Sequence, residues 1–137
     1  MVDAAPPAQD VFKKQAEEWF VRGHHDIETA QLLYEQNGYV DSIVYHIQQA
    51  IEKYLKGYLV LHRKKPPKIH ELDTLLNHIS TFDKSFDSFI DLCEKASRYY
   101  IEDRYPPGPP VEYRFEEVKN DLDRAWELIN QIQAKVR

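Results

Sequence analysis

Four glycines in 137 residues leave little room for the tight turns and bulges that sheets require, and no stretch alternates apolar and polar residues for long enough to be a strand. A chain this poor in glycine is expected to be made of long helices. Cysteine occurs once, at Cys93, so no internal disulfide can form, which suits a reducing compartment. Because Cys93 stands among Phe89, Ile90, Leu92 and Ala96, it reads as a buried, inert thiol. No apolar run approaches the roughly 20 residues of a membrane span, and the opening MVDAAPPAQD has no signal-peptide core, so the expectation is a cytoplasmic protein without membrane association. Excess positive charge is missing as well. Eighteen Lys and Arg stand against 23 Asp and Glu, a net charge of −5, so no DNA partner is indicated and any anion site must be local. There is no Gly-rich phosphate loop, no G-x-S-x-G elbow and no metalloprotease motif. His24 and His25 are neighbours that diverge by about 100° on a helix, which makes a poor metal pair. Neither a metal nor a cofactor is expected.

What is present is helical periodicity. An apolar fraction of 42% and a charged fraction of 30% are ordinary for one globular domain of this length. Residues 1–8 are small and proline-containing and are expected to be flexible, with residues 9–137 forming a single helical domain. Phe12, Ala16, Trp19, Gly23, Ile27, Ala30 and Tyr34 mark a first long helix, with Gly23 on its apolar side as a point of close approach. Asn37 and Gly38 end it, since both tolerate the left-handed cap conformation. Asp41 or Ser42 is expected to cap a second helix running to about Leu61. The linker RKKPPK must be loop. A short third helix is predicted over Ile69, Leu72, Leu75, Leu76 and Ile79, a fourth from Phe82 to Tyr100, and a fifth from Phe115 to Ile132. The expected fold class is all-α, an up-and-down bundle of about five helices capped by the short third one. Tyrosines along the helix edges point to a homodimer.

The second helix carries the most information. Ile43, Val44, Ile47, Ala50, Ile51, Tyr54, Leu55, Tyr58 and Leu59 fill about half of its circumference. Beside that core face, His46, Gln49, Lys53 and Lys56 recur at steps of three, four and three, within an arc of about 80°. Lysine point charges with amide and imidazole hydrogen bonding suit a phosphate or an RNA backbone. The same residues also suit a solvated flank, with Glu52 paired to Lys56 four residues on. Both readings stay open on spacing alone.

The stretch HIQQAIEKYLKGYL, followed by a basic proline loop and IHELDTLL, resembles the signature of the HEPN domain family. YYIEDRYP is similar to a further stretch of that family, and the helix from Trp19 to Leu33 is similar to its first helix. The resemblance implies a dimeric HEPN-like bundle that binds a nucleotide or RNA through His46, Gln49, Lys53, Lys56, Arg104 and Tyr105, beside a separately encoded minimal nucleotidyltransferase, as in toxin–antitoxin pairs. Two alternatives accompany it, a metal-independent ribonuclease toxin and a non-catalytic dimerisation or docking module. Ribonucleases of the family carry an arginine followed four to six residues later by histidine. After Arg104 the chain runs from Tyr105 to Tyr113 without one. Arg63 and His70 enclose six residues and fit the spacing formally, but they straddle a loop, and His70 also matches the family's helix-start histidine.

Overall fold

The computed structural model describes the backbone of residues 8–102 and 114–136, and side chains over 11–98 and 114–136. Five α-helices occupy it: α1 (Ala8–Glu35), α2 (Val40–Leu61), α3 (Leu72–Ser80), α4 (Ile90–Glu102) and α5 (Phe115–Val136), with a 3-10 turn, Asp87–Phe89, leading into α4. No strand occurs among the described residues. Helix α1 starts at Ala8, so that residue belongs to the bundle, and the rest of the expected flexible stretch lies outside the described residues.

Helices α1 and α2 form an antiparallel hairpin, and two glycines set how closely they pack. A Cβ on Gly23 would sit 2.7 Å from the Tyr54 ring, and one on Gly57 would sit 2.6 Å from Phe20. Glycine costs about 1 kcal/mol relative to alanine in a helix. Here that cost is offset by contact between the helix backbones and the Tyr54 and Phe20 rings, which stack at 5.3 Å. Helix α5 lies across the hairpin, with Phe115 stacked on Tyr34 and Gln133 donating to the Tyr54 hydroxyl at 2.8 Å. The core is continuous across all five helices, and Ile43, Ile47, Ile51, Tyr54, Leu55 and Leu59 of α2 lie at its centre.

Helix ends differ from expectation in four places. Asn37 takes the left-handed conformation (φ 53°), whereas Gly38 does not, and the Gly38 amide closes the turn on the Leu33 carbonyl at 2.6 Å. Helix α2 is capped by Tyr39, not by Asp41 or Ser42; Asp41 sits inside the first turn, where its charge favours the positive end of the helix dipole. Helix α3 begins at Leu72, three residues later than Ile69, because the Ser97 hydroxyl takes the Leu72 amide at 2.7 Å while Ile69 only packs on the core. The fourth helix starts at Ile90 instead of Phe82. Asp83 accepts the Ser85 amide and hydroxyl at 2.9 and 2.6 Å, which holds that stretch as a turn. Cys93 is fully buried, and loss of solvation pushes its thiol up to about 12, with Asp73 and Glu94 adding to the shift. It is inert at neutral pH.

Candidate functional site

Two polar groups flank α2, one inside the bundle and one at its surface. The inner group is built around Glu52. Its carboxylate takes the Lys56 ammonium at 3.3 Å, the Gln48 amide at 3.1 Å and the His70 Nδ1 at 3.0 Å. Gln48 also donates to the His70 carbonyl at 3.4 Å, and Gln49 donates to Gln48 at 2.7 Å. Gln48, Glu52 and Lys56 are buried, at 0%, 6% and 7% exposure, so this ion pair is shielded from solvent and from soluble ligands. Their spacing of four residues stacks them on one side of α2, where the 62–71 loop returns and is tied down through His70. The Lys56 ammonium lies 5.9 Å from the centroid of the Trp19 indole, which links the cluster to α1.

The outer group lies along the groove between α1 and α2. Asp26 of α1 is buried at 9% exposure and binds two members of the α2 stripe, His46 through Nδ1 at 2.9 Å and Lys53 through its ammonium. An ionised Asp26 requires the Nδ1 proton on His46, which leaves Nε2 as the ring's free acceptor. One turn towards the α1 N-terminus, Gln15, Glu18, Trp19 and Arg22 line a recess of about 360 Å³. Arg22 is exposed, and no carboxylate among the described residues pairs with it. Trp19, Arg22 and Asp26 sit at i, i+3 and i+7 of α1 and so face the α2 stripe from one edge.

The four stripe residues therefore do not form a row of unpaired cations. Lys56 belongs to the interior pair, Lys53 and His46 are held by Asp26, and Gln49 remains on the rim. Arg104 and Tyr105 lie outside the described residues. Arg63 and His70 are not brought together: the Arg63 guanidinium lies 5.5 Å from the Phe12 ring, whereas His70 reaches Glu52, which stands eleven positions before Arg63 and about 16 Å back along α2. Trp19 reads from sequence as a core residue, and no sequence pattern singles out Arg22. The signal that would have found them is their register with Asp26 on the same helix edge. Among the described residues no group of His, Cys, Asp and Glu could hold a metal ion, and no helix is long and apolar enough to cross a membrane.

Comparison with known proteins agrees with this architecture. The sequence pattern of the HEPN domain matches residues 16–135. The crystal structure of TT1696 from Thermus thermophilus superposes with a TM-score of 0.73 at 24% sequence identity, covering 88% of this chain and 98% of that one. No curated protein matches the chain significantly.

Proposed function

Because this chain belongs to the HEPN domain family, we propose that it is a nucleotide-binding module whose ligand occupies the groove between α1 and α2. The observation that carries this reading is the preorganised edge formed when Asp26 holds His46 and Lys53 beside the recess lined by Trp19 and Arg22. An indole face accepts a base by stacking, and a guanidinium forks onto phosphate. Lys53, His46 and Gln49 then offer hydrogen bonds along the rest of the ligand. Fixing those side chains before binding lowers the entropy cost of association. Family membership supports the wider setting, a homodimer working beside a separately encoded minimal nucleotidyltransferase.

Titration of the protein with ATP, followed by calorimetry, should give saturable binding. Arg22→Ala and Lys53→Ala should each weaken it by roughly tenfold, the scale of one charge-assisted hydrogen bond of about 1.5 kcal/mol. No heat of binding from the folded wild type at millimolar ATP would end the proposal.

One observation favours a second reading, a metal-independent ribonuclease. The Asp26–His46 pair has the form of an oriented general base, and Lys53 lies beside it to stabilise charge on phosphate. It is the weaker of the two, since no histidine follows Arg104 at the family's nuclease spacing and Arg63 and His70 are far apart. RNA cleavage in EDTA that disappears with His46→Ala would promote it.

A further inference from the structure

The end of the bundle where α2 and α5 finish gathers positive charge and exposed rings that the α1–α2 groove does not use. Arg63, Lys64, Lys65 and Lys84 are all exposed there, and no carboxylate among the described residues pairs with any of them. Two acids lie in the same turn: Asp83 is already engaged by Lys135 at 3.0 Å, by the Tyr58 hydroxyl at 2.5 Å and by Ser85, and exposed Asp87 accepts from the Ser80 hydroxyl at 2.8 Å. The local balance is therefore strongly positive on a protein of net charge −5. Rings lie within this charge. Phe82 is 37% exposed, the exposed His62 packs on it at 4.8 Å, and the Lys64 ammonium stands 5.9 Å from its centroid. Segments far apart in sequence meet here, namely the α2 C-terminus, the turn after α3 and the last turn of α5.

Arg63 adds a second observation. It occupies the left-handed region at φ 61°, where the Lys64 amide closes the helix end on the Leu59 carbonyl at 2.9 Å. Glycine is the unstrained residue for that position. The chain instead carries a guanidinium there, stacked on Phe12 at the head of the basic loop. Strain kept at a charged surface position points to a use for the charge.

We propose that this end of the bundle is a docking surface for single-stranded RNA, with the phosphate backbone running over Arg63, Lys64 and Lys65 and a base stacking against Phe82 and His62. Cations interleaved with exposed rings are the combination that single strands need, because each nucleotide offers both a charge and a π-face. A small anion would use the charges alone, and an acidic peptide has no base to stack. The surface shares no residue with the groove proposed for nucleotide, so each can fail without the other.

The test is fluorescence anisotropy with labelled oligouridylate of about twelve nucleotides, long enough to cover one site. Wild-type protein should bind saturably, and affinity should fall as salt rises from about 50 to about 200 mM. The triple variant Arg63→Gly, Lys64→Gln, Lys65→Gln should bind at least about tenfold more weakly, with the salt slope reduced by roughly 2, since about 0.7 is lost per phosphate contact. Phe82→Ala should weaken binding about fivefold or more and leave the slope unchanged. Arg63→Gly relaxes its backbone position and the lysines are exposed, so the triple variant keeps the wild-type circular dichroism spectrum. Lys119→Ala, at an exposed lysine near the start of α5, should leave RNA affinity as it was, which separates this surface from a general loss of positive charge. Wild-type affinity in the triple variant would overturn the proposal. So would full affinity in Phe82→Ala together with equal binding of heparin or anionic vesicles, which would mark plain polyanion attraction.

Discussion

Glu52 is the residue on which the polar interior converges, and its role is structural. One carboxylate satisfies the buried Lys56 and Gln48 and the half-exposed His70 at once. Removing one partner of a buried ion pair leaves the other charged and unsolvated, which costs about 3 kcal/mol or more. Glu52→Ala should therefore lower the urea unfolding free energy by about that amount, with an unchanged m-value. Glu52→Leu combined with Lys56→Met should recover most of the loss, because an apolar pair carries no desolvation penalty. A loss under about 0.5 kcal/mol in Glu52→Ala would show that the pair is solvated, contrary to its burial. The sequence displayed part of this cluster, since Glu52 and Lys56 are four residues apart. It did not display His70 as a partner, because a contact across 18 residues and a proline loop leaves no trace in local spacing. The same holds for Asp26, which lies 20 and 27 residues from the two side chains it binds. This is why spacing alone left the stripe open between an anion-binding row and a solvated flank, whereas the structure pairs His46 and Lys53 with Asp26 and Lys56 with Glu52.

Helices were legible wherever the apolar period ran unbroken. For α1, α2 and α5 the 3.6-residue pattern marked both the elements and their buried faces, and Gly23 marked a close crossing that the Tyr54 ring fills. The start of α4 was not legible. Phe82 and Phe86 fit helical spacing, but Asp83 competes for nearby amides and hydroxyls and holds a turn. That turn fastens three elements, since Asp83 also accepts from Tyr58 of α2 and Lys135 of α5. Burial acts to raise the Asp83 carboxyl, but hydrogen bonds from Ser85, Tyr58 and Lys135 outweigh it and hold it well below the usual carboxylate range. Burial and the bond to Asp83 drive the Tyr58 phenol well above its ordinary value. A depressed carboxyl contributes stability that is complete above its unfolded pKa of about 4 and is lost as pH falls towards the folded value. A raised phenol contributes stability that is complete below about pH 10 and is lost as pH climbs through its folded value. Wild-type protein should thus outlast Asp83→Asn in denaturant by a margin that is constant from about pH 5 to about pH 9 and shrinks on acidification to about pH 2. A margin that does not change with acid would remove Asp83 from this role.

At the scale of the whole molecule, the fold divides three kinds of polar residue among three places. Gln48, Glu52, Lys56 and His70, all within the stretches that carry the family likeness, are bonded to one another and hold the scaffold together. Residues beside them, His46 and Lys53, are turned to the surface by Asp26. Among the described residues, exposed cations with no carboxylate partner include Arg63, Lys64, Lys65 and Lys84 at the far end of α2 and Arg22 on α1. One helix thus carries both kinds of residue, its buried side holding the scaffold and its surface side facing the α1 edge. The central claim is that nucleotide binds along the α1 edge and the surface side of the motif helix, and not at its buried Gln48–Glu52–Lys56 cluster. Amide chemical-shift mapping of the 16.3 kDa protein during an ATP titration tests it most directly. The account predicts saturable shifts at Trp19, Arg22, Asp26, His46, Gln49 and Lys53, with the far end of α5 unmoved. Shifts confined to other surfaces, or none at millimolar ATP, would contradict it.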